Sequence, residues 1–486
     1  MTTTQAELPR RTVAQYAIGS LGTGGFATLP GLVLTYYLTD SLGVTALLAG
    51  VIVGAAKIWD VLIDPVIGAL TDRDVARRGT RRRLMLIGSL ALPVLFALTF
   101  AVPPVVGPAI GAIWVLLTFL LTATAFSLFQ VPYIALPAEL TDSYDARTTL
   151  LTWRVVVLTF AILLFGAGGP LLRTITGDQT TGYLIMGVVA GVTIGIGMLI
   201  ATGSARHALV TRPVMEVAGN ATATEAELIA TDIDRDIDGD GDKSIDATSS
   251  PFGRGIGANY RAAIETLRRS QPFRALLATF LLQALATGLM LAGAQYLATW
   301  VLQSEDAVTL LFVALIAPAL FAAPGWAWLA RRQGKERTFV IASIVFALAA
   351  LSTVGAIWAP GDWIYAPVAV AGIAYAGLQS LPMAMLPDVI AHDAVKHGPG
   401  RAGAFGGVWT AGETTGFALG ATILTIVLAL TGYVVSTAGQ TVTQPDAAIT
   451  GIVVSFSVVP AALIALSLIS LSRYRLRRAD IESHAA

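Results

Sequence analysis

Apolar residues fall into twelve long stretches along this chain, separated by shorter polar segments. A helix needs about 20 apolar residues to cross the hydrocarbon core of a membrane, and these stretches are long enough to do so. Backbone polar groups find no water in lipid, so we expect every stretch to be α-helical. The predicted spans cover residues 13–38, 44–71, 83–103, 109–137, 150–172, 183–203, 273–300, 307–329, 338–358, 363–387, 403–432 and 450–472.

A long polar stretch between the sixth and seventh spans divides the chain into two sets of six. We predict an N-terminal six-helix bundle at 1–203, a largely disordered, acidic cytoplasmic linker at 204–272, and a C-terminal six-helix bundle with a basic cytoplasmic tail at 273–486. The predicted fold class is therefore an all-α membrane protein, with two structural halves around a central cavity, as in transporters built from repeats.

The acidic part of the linker, Asp232–Asp246, imitates the start of a calcium-binding loop. Counted from Asp234, however, the twelfth position is Ile245, where such a loop requires a bidentate glutamate. The low hydrophobicity of this stretch favours a solvated linker over a metal site.

Composition narrows the class of protein further. The chain is 55% hydrophobic and 13% charged, with a mean hydropathy of +0.72, which is too apolar for an ordinary soluble domain. A net charge of zero gives no argument for nucleic-acid binding. The absence of cysteine excludes disulfides, thiolate metal sites and cysteine nucleophiles.

Basic residues are distributed unevenly between the two sides of the predicted bundle. Of the 31 Lys and Arg residues, Arg173 alone lies in an odd-numbered loop, and Lys57 and Arg154 lie within spans. The positive-inside rule therefore predicts a multi-pass protein of the plasma membrane with cytoplasmic N- and C-termini. The polar segment Met1–Arg11 has no cleavage signal, so we interpret the first stretch as an uncleaved span.

Three ionisable residues lie within eight positions of the second span: Lys57, Asp60 and Asp64. Their spacing of i, i+3 and i+7 places them on one stripe of a helix, which cannot face lipid. A charge in hydrocarbon costs at least ~2.5 kcal/mol on insertion scales, so such residues are usually functional. Two carboxylates one turn apart repel each other and favour uptake of a proton or of Na⁺ or Li⁺, with Lys57 offsetting part of the charge. The alternative is a buried ion-pair cluster that links helices.

Further polar residues stand near the ends of spans. Asp72 and Arg73 precede a basic loop, where they could latch a gate or merely orient the helix by charge. Glu413 is an intramembrane acid with a role either in coupling or gating, or in packing. Asp388, His392 and Asp393 are interpreted as a solvated loop, and the tryptophans and tyrosines near span ends as interface anchors.

Several motifs resemble those of one transporter family. They are Lys57 to Asp72 in the second span, Tyr36-Tyr37-Leu38-Thr39-Asp40 ending the first, Val131-Pro132-Tyr133-Ile134-Ala135-Leu136 in the fourth, Glu139-Leu140-Thr141, Asp145, Arg147-Thr148, Trp153-Arg154, and Gly406-Gly407-Val408-Trp409 in the eleventh. Together they resemble the glycoside, pentoside and hexuronide cation symporters, the melibiose permease relatives within the major facilitator superfamily.

This resemblance implies that Asp60 and Asp64 bind the coupling cation, that Lys57 replaces the usual arginine, and that Arg154 faces the substrate cavity. The chain also departs from the sugar-transporting members. Gly24 stands in place of an aspartate in the first span. In the fourth span, Gln130 replaces another aspartate, and Ile134 replaces a sugar-stacking aromatic residue. Near the missing lysine of the eleventh span stand Thr414 and Glu413.

These departures make the cavity less polar, although other side chains can still serve a solute. Gln130 can donate and accept hydrogen bonds, and Tyr133, Trp153 and Trp409 can offer aromatic faces. The leading hypothesis is alternating-access symport of a sugar or glycoside-type solute with Na⁺ or H⁺, by a functional monomer without cofactors that contacts membrane lipid. The alternative is a cation-coupled lysolipid or amphiphile transporter of the same fold.

The sequence favours a transporter over an enzyme or a scaffold. The four histidines all lie outside the predicted spans, and we find no Ser-His-Asp set, metal-ligand spacing or nucleotide-binding glycine loop. A non-transporting receptor would leave the intramembrane charges of the second span unexplained.

Overall fold

The computed structural model describes residues 8–141, 144–206, 267–397, 402–440, 442–474 and 476. Twelve helical spans follow one another in this part of the chain, and each overlaps one predicted stretch. Spans 1 to 12 are, in order, Arg10–Ile18 with Ser20–Tyr36 and the π-helical turn Tyr37–Ser41, Ala46–Arg78, Arg82–Thr99, Pro108–Leu140, Tyr144–Thr174, Gln179–Ala201, Gln271–Tyr296 with the π-helical turn Leu297–Val301, Ala307–Gln333, Lys335–Ser352, Tyr365–His397, Ala402–Leu430, and Asp446–Phe456 with Val458–Leu471.

The predicted class of twelve membrane helices is confirmed, but several helices extend beyond their apolar stretches. Span 2 continues to Arg78 and ends at Gly79, whose left-handed backbone (φ 70°) accommodates the turn that glycine adopts without strain. Span 10 continues to His397 although Pro382 and Pro387 lie inside it. Hydropathy misses such polar helix ends because it detects lipid contact and not backbone hydrogen bonding.

Two predictions about individual charges are wrong. Arg173, predicted in a loop, lies in the last turn of span 5 with a side chain only 1% exposed. Asp388 and Asp393, predicted in a solvated loop, lie in the span 10 helix. Asp393 is 4% exposed, and Asp388 accepts a hydrogen bond from the Lys335 ammonium at 2.5 Å. Tertiary partners, which a hydropathy window does not detect, bury these charges.

Each set of six spans packs into its own bundle. Span 1 packs on spans 5 and 6 and span 3 on spans 4 and 6, while span 7 packs on spans 11 and 12 and span 8 on span 10. In the described part of the chain, the two sets pack on each other mainly through spans 1 with 7, 2 with 11, and 5 with 8. We call spans 1 to 6 the first half and spans 7 to 12 the second half. The predicted domain boundaries at 203 and 273 stay predictions.

We name the two ends of the bundle by their loops. The odd-loop face carries the loops that follow spans 1, 3, 5, 7, 9 and 11, and the even-loop face carries the remaining loops. The span pairs that join the halves make close contact toward the odd-loop face. There Gly31 lies against Leu291, and Gly166 lies against Phe312. An antiparallel bridge between Leu42 and Thr437 continues this seam into the loops.

Two ion pairs at the even-loop face each connect elements of the same half. Arg81 Nε donates to Glu139 Oε1 at 2.5 Å within the first half, and Lys335 pairs with Asp388 within the second. These two ion pairs therefore each brace one half.

Glycine allows the closest helix crossing in the second half. At Gly420 of span 11, an added Cβ would press against the backbone nitrogen of Leu289 and would lie 2.6 Å from the carbonyl oxygen of Leu285. Both obstructing atoms belong to the backbone of span 7, so neither can rotate away. This crossing requires a residue without a side chain.

Replacing Gly420 with alanine is therefore expected to destabilise the protein by about 1–3 kcal/mol, as overpacking typically does. A fall of several degrees in the thermal unfolding temperature of the detergent-solubilised protein would measure this. Gly293→Ala is the matched control, because its new Cβ would meet side-chain atoms of Phe456 and Leu424 at 3.8 and 3.9 Å, which are ordinary contacts. Equal unfolding temperatures for the two variants would contradict the expectation.

Most of the predicted linker, including its calcium-like run, lies outside the described residues, as does the end of the basic tail. Its predicted disorder and the preference for a solvated linker over a metal site stay predictions.

Candidate functional site

The charged stripe of span 2 forms part of a continuous helix, Ala46–Arg78, as the sequence spacing requires. Lys57 Nζ donates to Asp60 Oδ2 at 3.2 Å, one turn away. The two side chains are 31% and 14% exposed, so the pair is neither free in solvent nor sealed in a core. Lys57 thus occupies one oxygen of the first carboxylate and leaves the other available.

Asp64, one turn further along the helix, faces span 4. Its carboxylate lies near the hydroxyl of Ser127, a span 4 residue that is 3% exposed. Sequence reasoning missed Ser127 because a single serine in an apolar helix is an ordinary packing residue. Its position three residues before Gln130, in the same span 4 helix, was the available signal.

One oxygen of each aspartate has no hydrogen-bond partner among the described residues. Asp60 Oδ1 and Asp64 Oδ1 are both buried and both unpaired. An unpaired buried acceptor carries its full desolvation cost, typically about 1–3 kcal/mol and more for a charged group. A proton or a small cation at these oxygens would remove that cost. Carboxylate and hydroxyl oxygens are also the donor atoms that hard cations prefer.

Ser127→Ala tests whether this hydroxyl supports the two carboxylates. Losing this hydroxyl, about 0.5–1.5 kcal/mol, is expected to weaken Na⁺ binding roughly two- to tenfold. Na⁺ titrations at fixed pH, read by thermal unfolding, measure the change. Ser89→Ala is the control, since that buried hydroxyl donates to Met85 in its own helix. Unchanged cation binding in Ser127→Ala would remove Ser127 from the site.

Arg154 of span 5 lies beside the aromatic centre of the first half. Its guanidinium carbon is 5.7 Å from the ring centroid of Tyr133, which stacks on Tyr16 with centroids 4.6 Å apart. Tyr133 is fully buried, and its hydroxyl donates to the Tyr16 carbonyl at 2.8 Å. The Nε of Arg154 is buried without a partner among the described residues. Tyr133 thus holds the arginine, while contact of either residue with a solute stays a prediction.

Gln130, also from the fourth span, reaches span 1. Its Oε1 accepts a hydrogen bond from Thr23 Oγ1 at 2.8 Å. Ile134, which stands where the sugar-transporting relatives have an aromatic residue, is 51% exposed. Trp153 of span 5 is 53% exposed. The Gln130 amide thus links spans 1 and 4, while Ile134 and Trp153 are accessible from outside the protein.

The second half contributes Trp409 and Glu413, one turn apart on span 11. Trp409 is 2% exposed and stacks on Phe280 of span 7, with centroids 4.3 Å apart, and its Nε1 is unpaired among the described residues. Glu413 is partly buried and lies close enough to Tyr375 of span 10 for the two side chains to interact electrostatically. The roles of Trp409 and Glu413 in the cavity stay predictions.

The predicted gating residues, Asp72 and Arg73, lie near the end of span 2. The side chain of Asp72 lies outside the described residues, and Arg73 is exposed on the last turns of span 2. On the same helix, Asp74 Oδ1 pairs with Arg78 Nε at 3.3 Å and lies 3.9 Å from Arg83 Nη1. A latch formed by Asp72 and Arg73 stays a prediction.

Comparisons with known proteins place these residues in a family context. The chain matches the family model described as MFS/sugar transport protein over residues 15–225 and 244–478. It is 28% identical over 190 residues to an uncharacterized symporter, YjmB, of Bacillus subtilis, a match that covers 38% of this chain and 41% of the relative. It is also 28% identical over 170 residues to a putative glycoside/cation symporter, YagG, of Escherichia coli, covering 35% and 37%. The chain thus spans about two fifths of the length of these curated relatives.

Solved structures agree in fold across nearly the whole chain. A structure described as giving insights into substrate recognition in proton dependent oligopeptide transporters superposes with a TM-score of 0.62 at 13% identity, covering 98% of this chain and 99% of the other. A bacterial homolog of the human lysosomal transporter Spinster, in an inward-facing and unoccupied conformation, gives 0.61 at 12% identity, covering 98% and 97%. At such identities the likeness concerns the fold alone, and it confirms the predicted major facilitator fold.

Proposed function

Since the chain belongs to the MFS/sugar transport protein family, we propose that it is a cation-coupled symporter that carries a sugar or glycoside-type small solute by alternating access. Members of this family are transporters and not enzymes. The twelve apolar spans make the chain a multi-pass membrane protein. The solute class, the coupling ion and the direction of transport belong to the proposal.

One observation supports the proposal more than any other. Asp60 and Asp64, on one stripe of span 2, each have a buried carboxylate oxygen that no described residue hydrogen-bonds. Burying acids without full pairing lowers stability, so a purely structural cluster would be expected to satisfy them. A site that must lose and regain a cation in each cycle needs acids of this kind. Lys57 and Ser127 would tune the site from either side.

The names of relatives support a coupled sugar-type cargo. One relative is described as a putative glycoside/cation symporter and another as a glucuronide carrier protein homolog, both of Escherichia coli. The proposed cation is Na⁺ or H⁺. Coupling then requires cation and solute to favour each other's binding by the same free energy.

The closed seam at the odd-loop face supports alternating access. If the basic even-loop face is cytoplasmic, as the positive-inside rule indicates, this conformation is closed to the outside. We propose that the protein resides in the plasma membrane with both termini inside. Two halves in one chain can enclose a complete pathway, so a monomer would suffice.

Uptake into right-side-out vesicles under separately imposed Na⁺ and H⁺ gradients tests the proposal. A panel of radiolabelled glycosides, hexuronates and lysophospholipids would serve as cargo. We expect at least one sugar-type compound to accumulate against its gradient with one of the two ions, and lysophospholipids to fail as competitors. Uptake of a lysophospholipid without uptake of any glycoside would favour the amphiphile transporter instead. Absence of any gradient-driven uptake across the panel would contradict a sugar symporter.

A further inference from the structure

The first spans of the two halves end in the same unusual way at the odd-loop face. Span 1 finishes in the π-helical turn Tyr37–Ser41 directly after Tyr36, and span 7 finishes in Leu297–Val301 directly after Tyr296. Such turns are rare and frequently mark functional sites. The rings of Tyr36 and Tyr296 meet edge to face across the seam, with centroids 5.1 Å apart.

A reciprocal pair of threonines reinforces this contact. Thr39, the third residue of one turn, lies 2.7 Å from the hydroxyl of Tyr296, with Oγ1 and OH able to share a hydrogen bond. Thr299, the third residue of the other turn, lies near the Tyr36 hydroxyl. Each half therefore offers one tyrosine and one threonine to the other, as a two-fold related pair of helix ends would.

The symmetry breaks at the next residue of each turn. The first half has Asp40 where the second has Trp300, and Tyr433 from the loop after span 11 lies between them. Trp300 Nε1 donates to the Tyr433 hydroxyl at 2.6 Å, and that hydroxyl lies 2.6 Å from Asp40 Oδ1. An indole N–H can only donate, so the Tyr433 hydroxyl accepts a hydrogen bond from Trp300 and donates one to Asp40.

The surroundings of Tyr433 keep that proton in place. Burial, and after it the charge of Asp40, raise the pKa of Tyr433 far above its ordinary value, so the phenol remains a donor. Thr39 Oγ1 donates to the second oxygen of Asp40 at 2.5 Å. The carboxylate, in a residue only 3% exposed, thus receives donors from both halves of the protein.

Other contacts close the same seam without passing through this carboxylate. The backbone nitrogens of Ser436 and Ala438 donate to the carbonyls of Thr39 and Ser41, each at 3.0 Å. Arg173 Nη2 of the first half pairs with Glu305 Oε2 of the second at 2.9 Å. A cavity of about 200 Å³ at this seam is lined by residues of both halves, including Asp40, Trp300 and Glu305.

We propose that Asp40 is the central acceptor that holds the odd-loop gate closed, with Tyr433 as its specific partner, and that opening toward this face requires the two to separate. The separation is reversible because water can replace both donors once the carboxylate is exposed, so that the net cost per bond stays small. The proposal adds a gate to the proposed transporter and involves neither the cation site nor a solute.

The absence of cysteine makes a distance measurement straightforward. Val105→Cys and Trp358→Cys place one spin label in each half at the odd-loop face, at residues 92% and 76% exposed and outside the gate. Double electron–electron resonance on the full chain in nanodiscs then reports open and closed populations. Asp40→Ala is expected to raise the open-to-closed ratio roughly tenfold, since hydrogen bonds to a charged group are lost. Tyr433→Phe is expected to raise it less.

Asp306→Ala is the matched control, because Asp306 is an exposed acid of the same face next to Glu305. An equal opening in Asp306→Ala and Asp40→Ala would overturn the proposal, as would a wild-type distribution in a folded Asp40→Ala protein. If Asp40→Ala does not fold, Tyr433→Phe decides, and the absence of any shift in that variant contradicts the gate.

A double variant tests the partnership itself. If Asp40 and Tyr433 act as one contact, Asp40→Ala with Tyr433→Phe is expected to open the gate no further than Asp40→Ala alone. Additive opening would show independent contributions and reject the pairing. No solute or gradient enters these measurements, so failure of the transport assays leaves this test unaffected.

Discussion

Asparagine at position 64 is expected to abolish accumulation driven by a cation gradient, and asparagine at position 60 to reduce it at least tenfold. Each substitution removes a negative charge from the pair of carboxylates that would hold the ion, while the amide keeps the side-chain volume. Asp64 is expected to be the more sensitive because it bridges span 2 to Ser127 of span 4, whereas Asp60 is already partly neutralised by Lys57. Initial rates and plateaus of solute uptake in vesicles measure the effect.

Two further measurements distinguish a loss of coupling from a general loss of function. Solute exchange without a gradient is expected to survive better than accumulation if the variants lose coupling and keep the fold. Asp362→Asn, at an exposed acid of the odd-loop face, is the control for the change from carboxylate to amide. If Asp60→Asn and Asp64→Asn both sustain gradient-driven accumulation at wild-type levels, the proposed cation site is wrong.

Arg154→Gln is expected to cost ten- to a hundredfold in solute affinity while cation binding is preserved. A hydrogen bond to a charged group contributes about 1.5–3 kcal/mol, which corresponds to that range. The guanidinium lies over the Tyr133 ring at 5.7 Å, and its buried Nε has no partner among the residues that the structure describes, so it is positioned before any solute arrives. Titration calorimetry with a transported compound, with and without the coupling ion, measures both affinities.

The matched control is Arg332→Gln. Arg332 also lies over an aromatic ring, that of Trp328, at 4.1 Å, so its loss reproduces the removal of a stacked arginine at another place. Comparable losses of solute affinity in both variants would indicate a general effect on the bundle. Wild-type solute affinity in Arg154→Gln would remove this residue from the solute site.

The candidate site was predictable from sequence where it depends on a single helix. Lys57, Asp60 and Asp64 share a stripe because 3.6 residues per turn fix their relation before any packing occurs. Ser127 was not predictable in this way, because its contact with Asp64 depends on how spans 2 and 4 pack. The helix that carries Gln130 and Tyr133 was expected, but the complete burial of Tyr133 against Tyr16 was not.

The gate at the odd-loop face was even less predictable from the sequence than the candidate site. Asp40 was noticed only as part of a family motif, and Tyr433 not at all, because they are 393 residues apart along the chain. Arg173 was assigned to a loop because the predicted fifth span ends at residue 172, yet it lies buried over the rings of Tyr36 and Tyr183, 5.5 Å from each centroid. Neither charge nor hydropathy reports a partner in the other half of the protein.

The sequence alone determined the number of spans, their helical character and the charged stripe of span 2. These follow from the thickness of the bilayer, the need for internal backbone hydrogen bonds, and the helical repeat, all of which act locally along the chain. The tertiary structure alone decided which acids find partners. Asp388 and Asp40 are paired, while one oxygen each of Asp60 and Asp64 has no partner within the described ranges. Pairing depends on distances between helices, and only the packed bundle sets them.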